Sequence, residues 1–279
     1  MRFSSDRKRE VIERRTARLP ELIDVLNDLF DAANRKLLEK TGQEWLFLGE
    51  DFEKLLDARL PEVFFVRESA VFSGLRTHLV FTIPVDLGWS NSRVALPFPV
   101  YSILDCPVYT DDLQPDQGRT VLRDLLAKRI DPDRFEPGQL DRLIVASGGH
   151  LRDLFDLVRE ASDRAIDEEP SPASIREGHV SGAIAKMRRE VVMRLGDSPY
   201  DPDPIPWKQR AERLVSIHRR DPGSDIPDAA LHSLVRIRAV QEFNGEGRFA
   251  VSPLVVDILI KEGLLLTGSS GGLLPASGS

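Results

Sequence analysis

The first hundred residues combine a helical spacing of apolar side chains with short continuous apolar runs. Residues 6–40 carry apolar residues at about every third or fourth position, which predicts helix, with Pro20 separating a basic first helix from a more apolar second one. Residues 52–74 predict a further helix, broken by Pro61 and ending near Gly74. The predicted strands are Trp45–Leu48, His78–Pro84 and Val100–Leu104. Strands that alternate with helices predict a buried parallel α/β sheet whose strand ends share one crevice.

Strand signals disappear after Pro115, and the next stretch of chain has the apolar spacing of helices. The predicted helices are 116–130, 138–146, 151–166 and 173–195. Four prolines among the ten residues of Asp197–Pro206 then predict a connection between domains. The chain is therefore expected to pass from an α/β region into a helical region that ends near residue 196.

The last part of the chain has the element order of a winged-helix unit. Helices are predicted at Trp207–Arg219, Pro227–Ile237 and Pro253–Glu262, and a hairpin joins 239–243 to 248–251 across the tip Asn244-Gly245-Glu246-Gly247. The tail 268–279 is rich in glycine and serine, which predicts disorder. The predicted domains are an α/β core at 1–114, a helical lid at 115–196, a winged helix at 197–265 and a tail at 266–279.

Composition predicts a soluble globular protein and excludes several kinds of site. The 279 residues are 41% hydrophobic and 30% charged, and their net charge of -7 argues against a surface that grips nucleic acid throughout. One cysteine, Cys106, excludes an internal disulfide framework and a cysteine-rich zinc site. No secretory signal opens the chain and no apolar run of about 18 residues occurs, so we expect a cytoplasmic protein without a membrane span.

Two short stretches carry candidate chemistry, and each has a plainer interpretation. Glu50, Asp51 and Glu53 follow the first predicted strand, where carboxylates would hold a metal or meet a nucleotide; the alternative is a solvated acidic turn. The pair Gly148-Gly149 opens a predicted helix, so its amides and Arg152 would meet an anion; the alternative is a helix-to-helix turn with a surface arginine.

In this order, these pieces resemble the later part of a P-loop ATPase of the AAA/STAND class, of the bacterial kind that ends in a winged-helix domain. The resemblance covers roughly residues 20–262, and Ser-Gly-Gly-His-Leu-Arg-Asp-Leu at 147–154 is its most specific part. The matching segments are Leu46–Leu55 for the Walker B strand, His78–Leu87 for the sensor-1 strand, Ala146–Val158 for the lid, Val240–Phe249 for the hairpin, and Ser252–Val255 for a family ending that usually reads His-Pro-Leu-Val.

The resemblance implies ATP and Mg²⁺ as ligands, with Glu50 at the magnesium position, Asp51 as the catalytic carboxylate, and Thr82 and Arg152 contacting the nucleotide. Two departures stand against catalysis. The chain contains no Gly-x-x-x-x-Gly-Lys-Ser/Thr loop to cradle phosphates. In addition, Gly49 replaces an apolar strand residue and Glu50 replaces an aspartate. The longer glutamate side chain moves its carboxylate by about 1 Å from the short, near-octahedral shell that Mg²⁺ requires.

Three functions follow as alternatives. The first is a degenerate AAA/STAND protein that regulates or scaffolds a protein partner or an intact ATPase paralogue. The second is an active ATPase whose phosphate loop is encoded upstream. The third is a DNA-binding regulator that acts through the winged helix, although its candidate recognition helix offers only His232 and Arg236, with Arg238 just after it. The predicted fold class is α/β: a partial parallel P-loop NTPase-like sheet, then a helical lid and a C-terminal winged-helix domain.

Overall fold

The computed structural model describes residues 18–55, 57, 59–89, 95–109, 116–198, 201, 203–243 and 248–266. The chain divides into two compact units, Met1–Val100 and Tyr101–Ser279. The boundary expected at 114/115 falls inside the second unit, which holds both the predicted lid and the predicted winged helix. The predicted tail lies outside the described residues. Among the described residues, no helix is long and apolar enough to cross a membrane.

The first unit is built from helices around one pair of strands. The elements are α1 (Leu19–Thr41), β1 (Leu46–Gly49), a 3-10 turn (Phe52–Lys54), α2 (Arg59–Glu62), a π-helical turn (Val63–Arg67), α3 (Ser69–Ser73), β2 (His78–Phe81) and α4 (Val85–Trp89). Helix α1 has Pro20 in its first turn and ends where Gly42, at φ 69°, donates its N–H to Leu38 O. The part of the predicted 6–40 helix before residue 18 lies outside the described residues, and the predicted 52–74 helix is divided into short pieces.

Strands β1 and β2 pair in parallel, with Leu46 opposite His78 and Gly49 opposite Phe81. One face of this pair carries five rings that contact one another, the phenylalanine cluster of Phe52, Phe64, Phe65, Phe72 and Phe81, although Phe47 on the same face is still 49% exposed. The other face is exposed, so the prediction of a buried sheet is wrong for these residues. A parallel sheet is buried only when helices or loops cover both of its faces, and the described part of this unit packs its phenylalanine rings on one face only.

The third predicted strand, Val100–Leu104, has no regular secondary structure and pairs with no other described strand, so this prediction is wrong. Ile103 within it is 100% exposed. A β-branched apolar run does not form a strand here, because strand pairing depends on a neighbour that the run itself does not specify.

The second unit is helical apart from one hairpin. Its elements are α5 (Gly118–Ala127), a 3-10 turn (Pro132–Arg134), α6 (Gln139–Ala146), α7 (Leu151–Glu168), α8 (Glu177–Leu195), α9 (Trp207–Arg219), α10 (Ala229–Arg236), β3 (Val240–Phe243), β4 (Arg248–Val251) and α11 (Pro253–Lys261). Strands β3 and β4 are antiparallel, and the tip between them lies outside the described residues. The helix predictions are confirmed to within a few residues, and the bounds of α9 agree at both ends. The overall class is mixed, with helices and two two-stranded sheets.

A buried ionic network holds the proline-rich connection against the last helices. Arg210 of α9 is fully buried and donates to Leu195 O, Gly196 O, Asp201 and Ser233. Asp201 also accepts from Arg236 Nη1 at 2.9 Å and from Ser233 Oγ at 3.2 Å. One carboxylate therefore joins the connection to both α9 and α10.

Replacing Asp201 by alanine should destabilise the protein strongly. The change leaves the Arg210 and Arg236 guanidinium groups without their buried counter-charge, and removing one partner of a buried pair costs about 3–5 kcal/mol. The matched control is Asp156→Ala, which removes the ion pair with Arg159 at 2.8 Å on the exposed side of α7 and should cost less than about 1 kcal/mol. Urea unfolding followed by circular dichroism measures both, and similar losses would contradict this account of the network.

Candidate functional site

The ends of β1 and β2 bring the predicted strand-end residues together. The Thr82 N–H donates to Gly49 O at 3.0 Å, which continues the parallel ladder one step beyond the strands. The Thr82 hydroxyl donates to Glu53 Oε2 at 2.5 Å. Thr82 and the carboxylates that follow β1 therefore share one edge of the sheet, because carboxyl ends of parallel strands meet at the same edge.

The two carboxylates chosen from the sequence occupy different situations at this edge. Asp51 has a left-handed backbone, φ 72°, that starts the 3-10 turn, and its Oδ1 lies 2.6 Å from Lys54 Nζ. Glu50 is exposed, with no ion pair to another described residue. Within the described residues, no group of three His, Cys, Asp or Glu side chains is placed to hold a metal ion. The metal role of Glu50 and the catalytic role of Asp51 stay predictions.

Glu53 is the one of the three strand-end carboxylates to which the resemblance assigned no role. It accepts the Thr82 hydroxyl across a separation of 29 residues in the chain. The signal that points to it is its place as the third carboxylate within four positions after β1, which puts it on the turn that packs under the end of β2. This contact gives the hydroxyl of Thr82 a partner inside the protein.

The glycine pair of the predicted lid forms a tight turn between α6 and α7. Gly148 donates its N–H to Val145 O at 2.9 Å, and Gly149 donates its N–H to Ser147 Oγ at 3.1 Å. His150 caps α7, since its Nδ1 accepts the Asp153 N–H at 3.3 Å. The amides that would meet an anion are engaged within the turn, so the geometry favours the turn over the anion site. Arg152 is exposed in the first turn of α7 and forms no ion pair with another described residue.

The second glycine is required by a close backbone approach. Gly149 has φ 88°, and a β-carbon added there would lie 1.7 Å from Cys106 O. The Cys106 N–H donates to Gly149 O at 3.3 Å, so the segment at residues 101–106 runs directly across the turn. Burial raises the pKa of the Cys106 thiol, and the nearby carboxylates of Asp116 and Asp105 raise it further.

A polar cluster that the sequence did not predict surrounds this crossing. Gln241 Nε2 of β3 donates to Asp105 Oδ2 at 2.8 Å. Arg238 contacts both ring nitrogens of His150 and lies 3.5 Å from Asp153 Oδ1. We call Asp105, His150, Asp153, Arg238 and Gln241 the crossing cluster. Its members are up to 136 positions apart in the chain, so no local pattern announces it.

The two carboxylates of the crossing cluster have opposite electrostatic environments. Burial raises the pKa of Asp105, and the charges of His150 and Arg238 and the Gln241 hydrogen bond only partly offset it. Burial alone would also raise the pKa of Asp153, but the His150 hydrogen bond and the charge of Arg238 lower it on balance. Burial lowers the pKa of the neighbouring Arg194, and the charge of Arg238 lowers it further.

Replacing Gly149 by alanine should disrupt the second unit. The new methyl group would overlap Cys106 O, and the residue would also keep a left-handed backbone, which together should cost more than about 3 kcal/mol. Gly138→Ala is the matched control, because Gly138 has φ 81° but no atom within 4 Å of an added β-carbon. That variant should lose only about 1–2 kcal/mol. Thermal and urea unfolding measure both, and equal losses would show that the crossing does not require glycine.

Asp105→Asn and Asp153→Asn should shift stability in opposite directions with pH. The pKa of Asp105 in the folded protein is raised above its ordinary value near 4, so the free energy of unfolding of the wild type falls as the pH rises above that value. Asp105→Asn lacks this loss and should become more stable relative to the wild type. The pKa of Asp153 in the folded protein is lowered, so the free energy of unfolding of the wild type rises as the pH rises toward the ordinary value near 4. Asp153→Asn lacks this gain and should become less stable relative to the wild type. Urea unfolding at a series of pH values measures the two differences, and slopes of the same sign would contradict the assignment.

Three comparisons with known proteins found no match for this chain. No family model, no curated protein and no solved structure matches it. The resemblance to P-loop ATPases therefore stays an interpretation of residues and their order, and the function has to be argued from the described geometry alone.

Proposed function

We propose that this protein is a regulatory or scaffolding protein of the AAA/STAND ATPase type, which acts through its surfaces and does not transfer phosphate by itself. The observation that carries the proposal is the pairing of polar side chains at the ends of β1 and β2. Thr82 donates its hydroxyl to Glu53, and Asp51 forms an ion pair with Lys54. Two of the groups that the resemblance assigns to the nucleotide and to catalysis, Thr82 and Asp51, are thus bonded to neighbouring side chains.

The second support comes from the phosphate-binding elements. Phosphoryl transfer depends on positioning and on neutralising the charge of the phosphates, which the phosphate loop and Mg²⁺ supply together. The chain has no such loop in its sequence, and the only other amides that the sequence suggested, at Gly148 and Gly149, are bonded within their turn. Of the phosphate-binding groups that the sequence suggested, only the exposed Arg152 stays without a partner among the described residues, and one arginine is too little to hold a triphosphate.

The main alternative is an ATP-binding ATPase that obtains its phosphate loop from coding sequence upstream of Met1. In that case Glu50 and Asp51 would act on Mg²⁺ and water, and the ion pair between Asp51 and Lys54 would open when nucleotide binds. That pair is exposed, and an exposed pair is worth about 0–1 kcal/mol, so it would not by itself prevent such a change. Nucleotide binding is therefore the property that separates the two functions.

DNA binding through α10 has weaker support. A recognition helix needs arginine and lysine side chains that reach phosphates and base edges. Arg236 of α10 is paired with the buried Asp201, and Arg238 is part of the crossing cluster. Both cations that the sequence offered are engaged within the second unit. We therefore favour a protein as the partner of this region.

Titration with a fluorescent ATP analogue, with and without Mg²⁺, tests the proposal. We expect no saturable binding of the purified chain below about 1 mM, because no phosphate cradle offsets the cost of immobilising the ligand. The variants to compare are Arg152→Ala and Arg159→Ala, which remove exposed arginines from the same helix. Micromolar binding that requires Mg²⁺, and that Arg152→Ala weakens while Arg159→Ala does not, would overturn the proposal in favour of the active ATPase.

A further inference from the structure

The β1–β2 pair has an uncovered apolar face. Leu46 and Leu48 of β1 point to the same side, and the register places Val80 of β2 beside Leu48 and the polar His78 beside Leu46 on that side. The exposed fractions of Leu46, Leu48 and Val80 are between 53% and 56%. We call these three residues the sheet face. The phenylalanine cluster packs on the opposite side, so the sheet face is the side that the described residues of the first unit leave open.

Helix α1 has an uncovered apolar stripe of its own. Leu22, Val25 and Leu29 have the spacing i, i+3, i+7, which places them on one side of the helix, and they are between 53% and 66% exposed. We call these three residues the helix stripe. The opposite side of α1 holds the buried Asn27, which donates to Gly74 O at 2.8 Å and accepts from the Arg76 N–H at 2.6 Å. These bonds fix the rotation of α1, so the helix stripe faces away from its own unit.

The two surfaces are the two halves of a standard packing arrangement. Parallel strands occur almost only where helices cover both faces of the sheet. An amphipathic helix buries its apolar stripe against such a face. Because Asn27 turns the helix stripe outward, one molecule cannot place its stripe on its own sheet face. Two molecules can, and a two-fold axis would then make the contact twice, once in each direction.

Charges at the ends of the two surfaces are complementary. Arg18 lies four positions before Leu22 and Lys36 seven after Leu29, so exposed cations end the helix stripe on its own side, about 27 Å apart along the axis. Exposed carboxylates flank β1 at Glu44, which contacts His78 Nε2 at 2.9 Å, and at Glu50, about 20 Å away along an extended chain. The long side chains of Arg18 and Lys36 can reach across the difference between these two spacings. The helix stripe and the sheet face of this chain are thus complementary: both are apolar, and the cations at the ends of one oppose the carboxylates at the ends of the other.

We propose that this protein forms a two-fold dimer in which the helix stripe of each copy packs on the sheet face of the other. The contact completes the covering of the β1–β2 pair and removes both apolar surfaces from water. It involves the first unit only, and it does not depend on nucleotide, so it stands or falls separately from the regulatory role proposed above.

Oligomeric state provides the first test. Light scattering coupled to size-exclusion chromatography should give the wild type twice the chain mass of 31.3 kDa. Val25→Glu and Leu48→Glu each place a charge in the contact and should give the monomer mass. Val121→Glu is the matched control, since Val121 is an equally exposed apolar residue on α5 of the second unit and should leave the dimer intact. Circular dichroism confirms that each variant is folded, which is expected because the changed positions are exposed.

Two outcomes would overturn the dimer. A wild type that stays monomeric at every concentration would mean that another polypeptide, or no partner, occupies these surfaces. Loss of the dimer in Val121→Glu, with the two first-unit variants still dimeric, would place the interface elsewhere.

Disulfide cross-linking tests the pairing of surfaces directly. In a Cys106→Ser background, whose hydroxyl can keep the contact with Gly118 O, Val25→Cys and Leu48→Cys are prepared separately. After oxidation, each variant alone should remain a single chain without a disulfide cross-link. An equimolar mixture of the two should form a disulfide-linked pair. Cross-linking of Leu48→Cys with itself would show sheet against sheet, and that result would overturn the proposed arrangement.

Discussion

The second unit depends on the buried carboxylate of Asp201. A lone charge in that position would be very costly, and two guanidinium groups and a hydroxyl compensate it. Arg210 in turn reaches the carbonyls at the end of α8. A connection that four prolines exclude from regular helix or sheet is thereby given one position, and the hairpin and α11 follow from it. Hydrophobic packing supplies most of the stability, whereas this network fixes where the C-terminal helices start.

The sequence predicted what depends on local periodicity and turn chemistry. The helices of the second unit and the hairpin were located to within a few residues because each has its own apolar spacing and its own punctuation by proline and glycine. The meeting of Thr82 with the carboxylates after β1 was also expected, since it follows from two strands running in parallel. A site at a strand end can be predicted in this way without knowing the rest of the sheet.

What the sequence did not predict depends on partners distant in the chain. Leu46, Leu48 and Val80 read as core residues because they are large and apolar, and their exposure is decided by what lies against them. Lys54 is an ordinary surface residue in the sequence, and only the left-handed turn at Asp51 brings it onto that carboxylate. Arg238 and His150 are 88 positions apart, and nothing near either residue announces the other. Burial and pairing were therefore the two kinds of prediction that failed.

The contact between Asp105 and Gln241 has a consequence for synthesis. The two residues are 136 positions apart, so the ribosome makes one long before the other. At about 5–20 residues per second, the segment at residues 101–106 waits roughly 7 to 27 s for its partner strand. During that interval Asp105 has no Gln241 side chain to accept from, and the crossing cannot close. The second unit therefore completes its fold only after residue 241 has been made, however early its first helices form.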